Sequence, residues 1–431
     1  MTPPLVPPSS LSIPAAVVGV GMIFDETYRP FFEQPSQSRF MVGYDIVDVR
    51  LAALGSRTGD RAANYRAAAP ARTRAVTSYS GGDAVAAFLR SDVVAVCVAT
   101  PDDRHFPTAL AAIRAGKHVL IEKPSVLTLA EWQTLSDAAA EHSVLVKVVY
   151  HKLLDPDHKK LRTLSLNGSL DHVNFGYCTL FEPRSISRDQ FAQWIVGRNP
   201  ATYVAVHYYK LIDFTFATDW KLDRITATGQ RGIVRAADSS TWDSVQVQVV
   251  YRYSDGREAA FDIHTCWVSP DNSPGYVDQE VQFHFDNASW SAHQRRRGVE
   301  LVVDGKTPTE LKENLNNHYN SASVEPWGEN TQRGYGIEAV RRFFEEVAHV
   351  ECGGPPEGRG ARLAEMAALA YNDIAADRNV VAVTQAVEAI LEEQAVGRVG
   401  CVVFSEHSLG DLVLFRPGDA TPRVLQPSAS T

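Results

Sequence analysis

The chain has 431 residues, 45% of them hydrophobic and 22% charged, with a net charge of −9. Single cores stop growing at about 250–300 residues, so two domains are expected. The acidic balance argues against a nucleic-acid footprint, which needs clustered Lys and Arg, and five scattered cysteines with no CxxC pair fit reduced thiols rather than a disulfide or zinc framework.

Residues 1–13, MTPPLVPPSSLSI, carry neither a positive n-region nor an apolar h-region. They read as a disordered leader. No stretch reaches the ~20 apolar residues of a bilayer span. The expected location is the cytoplasm, with no membrane and no nucleic-acid partner. The basic run Arg295-Arg296-Arg297 reads as a solvated turn.

The first strand is predicted in 14–20, PAAVVGV, ending at Gly19-Val20-Gly21 and passing into a helical stretch through Phe32. A second strand, Val47 to Leu54, ends at Gly55-Ser56-Arg57-Thr58. Helices follow at Asp60 to Ala69 and Asp83 to Arg90, then a buried strand at Asp92 to Ala99 in which Cys97 fills core. A helix at Phe106 to Ala115, a strand at His118 to Ile121, a helix at Leu127 to Glu141 and a strand at Val144 to Val149 complete the pattern. Strands alternating with helices imply a parallel sheet covered on both faces.

The pattern changes after about residue 150. Segments 171–181, 243–253, 259–268, 278–286 and 299–303 are strand-like, and Val245-Gln246-Val247-Gln248-Val249 alternates as a half-exposed antiparallel strand does. One helix is expected around 207–217, and the chain turns helical again at 336–350 and 362–393. The expected fold is α/β plus α+β. A Rossmann dinucleotide-binding domain spans 14–150, and 151–395 form a substrate and oligomerisation domain on an open, mainly antiparallel β-sheet. The helices within 336–393 are expected to pack back on the Rossmann domain, and 396–431 to form a C-terminal extension.

A Gly-x-Gly turn between strand and helix lets the backbone approach a pyrophosphate at the helix N–H groups. Gly19, Gly21, Met22 and Ile23 are the candidate cofactor contacts, with Phe24 where a third glycine would stand. The second strand ends in Ser56, Arg57 and Thr58, with no carboxylate for a ribose 2′-hydroxyl. A guanidinium can take a 2′-phosphate bidentately. The cofactor is therefore NAD(P), with NADP slightly favoured; stacking of Arg57 on adenine is the alternative.

The stretch Val96 to Thr128 holds Ala99-Thr100-Pro101 with His105, then Ala115-Gly116-Lys117-His118-Val119, then Glu122-Lys123-Pro124 before Leu127-Thr128. These blocks closely resemble the glucose–fructose oxidoreductase / inositol dehydrogenase / MocA (Gfo/Idh/MocA) family, strongly over 14–150 and through element order alone over 151–390. The resemblance implies that Lys123 contacts the substrate hydroxyl and Glu122 borders the nicotinamide. Thr100, Pro101 and His105 would line the cofactor; for His105 a helix-start role is the alternative. Independently, a lysine at the carboxyl end of a parallel strand sits where such sheets bind ligands, and its ammonium can stabilise a developing alkoxide.

The family usually carries D-x-x-x-H-x-x-D on a helix of its second domain. Here the matching region reads Val206-His207-Tyr208-Tyr209-Lys210-Leu211-Ile212-Asp213. One register puts Lys210 at the family's histidine and Asp213 at its last aspartate; the other keeps His207. Either side chain can serve as acid/base, with Tyr209 behind them and Asp213 structural.

Asp155-Pro156-Asp157-His158 matches no metal pattern and reads as a helix start, so no metal is expected. Trp267 to Asp278, and 305–334 with His318, Tyr319, Asn320 and Trp327, read as loops able to cover a sugar or to pack on a second subunit. The predicted reaction is hydride transfer to or from a carbinol carbon of a sugar, glycoside or cyclitol, by a homo-oligomer (dimer or tetramer) associated through the open sheet. A glycosidase using transient oxidation, and a catalytically silent sensing protein on the same fold, are the alternatives.

Overall fold

In the computed structural model, which describes residues 10–90, 92–190, 195–216, 220–273, 277–293, 299–304, 310–369, 371–406 and 411–426, the early apolar runs form one sheet. Its strands are β1 (Ser10–Val18), β2 (Arg39–Val42), β3 (Asp45–Ser56), β4 (Thr77–Ser80), β5 (Ala95–Val98), β6 (His118–Ile121) and β7 (Val146–Val148). The six parallel strands lie in the order β4-β3-β1-β5-β6-β7. Counted along the chain that is 3-2-1-4-5-6, the order of a doubly wound dinucleotide fold. Every residue of β5 and β6 is buried, as strands covered on both faces require. The order reverses between β1 and β5, which opens a crevice at their carboxyl ends.

The start of the first strand needs correction, and two details are added. The first strand begins at Ser10, so residues 10–13 pair with β3 rather than belonging to a leader; residues 1–9 lie outside the described residues. Strand β2 pairs antiparallel with Asp45–Asp48 at the start of β3, and β4, Thr-Ser-Tyr-Ser, adds the outer parallel strand without an apolar run. The stretch after the glycines opens with a π-helical turn, Phe24–Tyr28, before the α-helix Arg29–Glu33.

The chain divides into two units. One comprises Met1–Val126, Glu131–His151 and Tyr319–Asp377, the other Leu127–Ala130, Lys152–His318 and Arg378–Thr431. The second unit opens with the helix Pro156–Leu166, capped by Asp155, whose carboxylate accepts the Asp157 N–H at 3.0 Å. Strands β8 (Val173–Pro183), β9 (Trp220–Arg231), β10 (Trp242–Tyr253), β11 (Glu258–Ser269), β12 (Asp278–Phe285) and β13 (Ser289–His293) form its sheet. A separate hairpin joins β14 (Val299–Asp304) and β15 (Glu310–Leu315). Residues 294–298, which include the basic run, and 305–309 lie outside the described residues.

Alternation sorts the two faces: Val245, Val247 and Val249 of β10 are buried, while Gln246 is exposed. An aromatic cluster covers the buried face. Trp220 stacks on Tyr251 at 4.2 Å, and the Phe216 ring meets Phe283 at 5.1 Å. Phe216 ends the helix Val206–Phe216, so these contacts anchor that helix on the sheet.

The chain then returns to the first unit as the hairpin β16 (Ser321–Val324) and β17 (Asn330–Arg333), so 305–334 holds three strands where loop was expected. The helix Tyr335–Cys352 packs on Arg29–Glu33 through Phe31 and Phe344, stacked at 5.1 Å. Lys147 of β7, fully buried, lies 3.3 Å from both Glu346 and Asp373 and donates to the Met366 carbonyl at 2.9 Å.

The last long helix, Arg378–Ala395, belongs to the second unit and packs on β9, whereas all of 336–393 was expected with the Rossmann domain. Strands β18 (Val402–Glu406), β19 (Asp411–Phe415) and β20 (Arg423–Gln426) prolong the sheet beyond β9, giving the order β13-β12-β8-β11-β10-β9-β18-β19-β20. All neighbours are antiparallel except β8 and β11. No described helix is long and apolar enough to cross a membrane.

Candidate active site

The glycine turn follows β1 at the reversal of strand order. Gly19 has φ +106°, and a Cβ there would lie 2.2 Å from the Ala99 carbonyl oxygen. Its N–H donates to the Gly55 carbonyl at 2.8 Å. Only glycine meets both demands, since the left-handed backbone and the contact with Ala99 each exclude a side chain. Gly21 has open space where a Cβ would stand. Beside this turn, Thr100 Oγ1 is buried with no hydrogen-bond partner among the described residues. A buried hydroxyl left unpaired costs on the order of 1–3 kcal/mol. An open glycine cradle beside an orphaned hydroxyl fits a polar ligand such as a dinucleotide.

Phe24, at the position of the absent third glycine, is fully buried, its ring meeting Tyr65 edge-on at 5.2 Å. Met22 and Ile23 are half-buried at the start of the turn. Ser56 is occupied locally: its Oγ accepts the Gly59 N–H at 3.2 Å. Arg57 and Thr58 are exposed, and Arg57 has no ion pair among the described residues. Arg61, which sequence reasoning passed over, donates to the Val20 carbonyl at 3.4 Å. Two guanidinium groups thus stand near the end of β3, one of them reaching back to the glycine turn.

The Glu122-Lys123-Pro124 turn follows β6, and its Lys123–Pro124 peptide is cis. Lys123 is half-buried. Glu122 is buried and accepts from the Tyr28 hydroxyl at 2.9 Å. Burial pushes its pKa up to about 7, against the opposing pull of Lys123 and Tyr28 and with further upward pressure from Glu26. Glu26 is also pushed up by burial; its Oε2 accepts from the Tyr319 hydroxyl at 3.2 Å. Tyr319, read as loop lining, is thus a partner of Glu26.

Next in the turn, Ser125 donates to Asp377 at 2.5 Å, and Tyr150 donates to the same carboxylate at 2.8 Å. Asp377 is fully buried. Its sequence position, 252 residues from Ser125, offered no signal for this role. His105 is 1% exposed. Its Nδ1 lies 2.7 Å from the Pro124 carbonyl oxygen and its Nε2 2.8 Å from that of Thr100. Both ring nitrogens thus meet main chain. Pro101 is exposed at the head of the following helical turn.

In the second unit, His207 and Lys210 lie on the helix Val206–Phe216 one turn apart and are both buried. Asp213 accepts from Asn379 at 2.8 Å; burial raises its pKa against the opposing charge of Lys210. The Tyr209 hydroxyl is buried with no hydrogen-bond partner among the described residues. The nearby carboxylate of Glu388 accepts from Asn199 at 2.8 Å and Thr202 at 2.7 Å. Trp267 is not a sugar-facing residue. It is fully buried within β11 and donates to Glu182 at 2.8 Å. Residues 274–276 of that segment lie outside the described residues. Among the described residues no group of three or more His, Cys, Asp or Glu is arranged to hold a metal ion.

Residues 13–150 match an oxidoreductase family with an NAD-binding Rossmann fold, that of glucose–fructose oxidoreductase, inositol dehydrogenase and MocA. That match covers the first part of the chain, up to the end of the Rossmann sheet.

Among curated relatives, the scyllo-inositol 2-dehydrogenase (NADP(+)) of Bacillus subtilis is 40% identical over 79 residues, 18% of this chain and 22% of that protein. Inositol 2-dehydrogenase 1 of Saccharopolyspora erythraea is 27% identical over 190 residues, 42% of this chain and 54% of that one. The first such relatives are thus matched over only 22% and 23% of their own length. Among solved structures, an inositol dehydrogenase homologue of Azotobacter vinelandii, complexed with NADH and myo-inositol, has a TM-score of 0.63 at 19% identity. It covers 90% of this chain and 96% of its own. The myo-inositol 2-dehydrogenase of Lactobacillus plantarum has a TM-score of 0.62 at 13% identity, over 91% and 99%. At these identities the likeness is one of fold: a Rossmann sheet followed by an open, mostly antiparallel sheet.

Proposed function

We propose that the protein is a nicotinamide-dependent oxidoreductase acting on a carbinol carbon of a sugar, glycoside or cyclitol. The observation that carries this reading is the arrangement at the strand ends of the first unit. The Gly19–Gly21 cradle and the orphaned Thr100 hydroxyl flank the crevice between β1 and β5, and Lys123 follows the neighbouring β6. Gly19, Gly21, Met22, Ile23, Thr100 and Pro101 would hold the dinucleotide, with Ser56, Arg57 and Thr58 at its adenosine end and Glu122 at its nicotinamide end. When bound, that group supplies a ring carbon that accepts or releases hydride.

The chain's own residues handle the proton. Lys123 hydrogen-bonds the reacting oxygen and stabilises charge that develops on it. His207 or Lys210 accepts or returns the hydroxyl proton. The Arg57 and Arg61 guanidiniums and the absence of a carboxylate at the end of β3 support NADP over NAD. The family's inositol and sugar dehydrogenases support a polyol substrate, and the open sheet face supports association of two or four copies.

The test is binding of NADP(H) and NAD(H) to the purified protein, followed by an absorbance screen for reduced nicotinamide with sugars, glycosides and inositols. Turnover with one of them is expected. Lys123→Ala is expected to lower kcat by at least about a hundredfold, as removal of a charge-stabilising donor does, while dinucleotide binding persists. Absence of dinucleotide binding would overturn the reading. Binding without net redox turnover would move it to a transient-oxidation glycosidase or a sensing protein.

A further inference from the structure

The β5–β6 ladder ends at Val98↔Ile121, and its last rung is the Glu122 N–H donating to the Val98 carbonyl at 2.9 Å. Past that rung the two strands part into separate loops, one carrying Thr100 and the other Lys123 and Pro124. Among the described residues no β5–β6 ladder pair lies beyond that rung. The His105 ring lies between them, 2.8 Å from the Thr100 carbonyl oxygen through Nε2 and 2.7 Å from the Pro124 carbonyl oxygen through Nδ1. His105 also begins the helix His105–Arg114, which is seated by buried Ala109, Ala112 and Ile113, so the ring is held from a rigid element. The ring is 1% exposed; its contact with Pro124 is buried and that with Thr100 part-buried.

We propose that His105 is a positioning residue that holds the Thr100 loop with one ring nitrogen and the Lys123–Pro124 turn with the other, setting the spacing between the cofactor-facing and proton-handling walls of the site. The functional consequences rest on the oxidoreductase reading above; the two contacts do not. Holding both carbonyls at once needs the doubly protonated ring, which donates from both nitrogens, since a neutral ring has a single N–H. Burial pushes the His105 pKa down, while the two carbonyls and Asp102 oppose it and Lys123 adds to it. The two halves of the clamp are separable in principle, because they use different nitrogens.

That separability supplies the test. An Asn side chain places its N–H donor near the position of Nδ1, and a Gln side chain near that of Nε2. His105→Asn should keep the hold on Pro124 and release Thr100; His105→Gln should do the reverse. Hydrogen exchange read by mass spectrometry should show faster exchange in peptides covering 99–104 for His105→Asn and in peptides covering 121–126 for His105→Gln, with peptides covering 152–318 unchanged. In steady-state kinetics, His105→Asn should weaken NAD(P)H binding by about tenfold with a smaller fall in kcat. His105→Gln should lower kcat by about tenfold with a smaller change in binding, each corresponding to about one hydrogen bond. His105→Ala should show both losses. Equal exchange and equal kinetic losses in the Asn and Gln variants would overturn the proposal, since a ring that only seats the helix would not separate the two loops. If the wild-type protein bound no dinucleotide, the oxidoreductase reading would fall and the exchange pattern would still decide the clamp.

Discussion

Glu122 shows how one buried residue changes the pH behaviour of the protein. Its pKa rises from 4.5 to about 7 because burial disfavours the carboxylate, and Tyr28 and Lys123 offset only part of that cost. The folded protein therefore binds a proton there that the unfolded chain has released. Glu122's contribution to stability is full below about pH 4.5 and is lost as pH rises through about 7. The whole effect is on the order of 3 kcal/mol. Glu122→Gln, which cannot titrate, is expected to flatten that fall and to melt higher than the wild type at pH 8. Thermal melts of both proteins from pH 4.5 to 8.5 check this, and parallel slopes would count against it.

His118 shows the same dependence on surroundings with a different outcome. Its Nδ1 accepts the Leu145 N–H at 2.9 Å, so the proton resides on Nε2, which donates to Glu351 at 2.7 Å. Burial lowers the pKa of this histidine, the first of the causes acting on it, and its carboxylate partner opposes that. Its place in the Ala115–Val119 block is thus explained by tying β6 to the helix Tyr335–Cys352.

At the scale of elements, the residues flanking each unit of secondary structure decide where it starts. Asp155 caps the helix Pro156–Leu166, with proline at its first position, where a missing N–H costs nothing. Asp155→Ala is expected to destabilise the protein by about 1 kcal/mol through loss of that cap. Chemical denaturation should show a lower midpoint at unchanged slope. The turn after Gly21 is a second case. A third glycine there would allow close packing of helix on strand; Phe24 instead buries an aromatic ring against Tyr65, and the segment begins as a π turn. Strand β4, Thr77–Ser80, is a third: two of its four residues are exposed, so it lacks an apolar run, and pairing with β3 alone defines it.

For the whole molecule, the last strands complete the second unit's sheet. Strand β18 covers part of the β9 edge, and Val403, Leu412, Val413 and Leu414 are buried. Arg398 and Arg416 pair with the buried Glu393 at 2.9 and 2.6 Å. A chain ending at residue 395 is expected to lose more than about 5 kcal/mol from lost burial alone and to self-associate through its uncovered strand edge. Melting and size-exclusion measurements of the truncated protein check this; an unchanged melting temperature with a single unaggregated species would contradict it.

What the sequence determined by itself is what short-range physics determines. Fully apolar runs such as Ala95–Val98 mark buried parallel strands, alternation through Val245–Val249 marks a half-exposed antiparallel one, and Gly19 marks a turn that only glycine can make. These signals need no knowledge of distant residues, so the two-sheet plan and the strand-end turns were legible. The tertiary structure alone decided which distant groups meet those turns. Tyr28 reaches Glu122 across 94 residues and Asp377 reaches Ser125 across 252, and the helix Arg378–Ala395 belongs to the second unit. Proton affinity and loop position depend on which partners are buried together, and burial is a property of the folded chain.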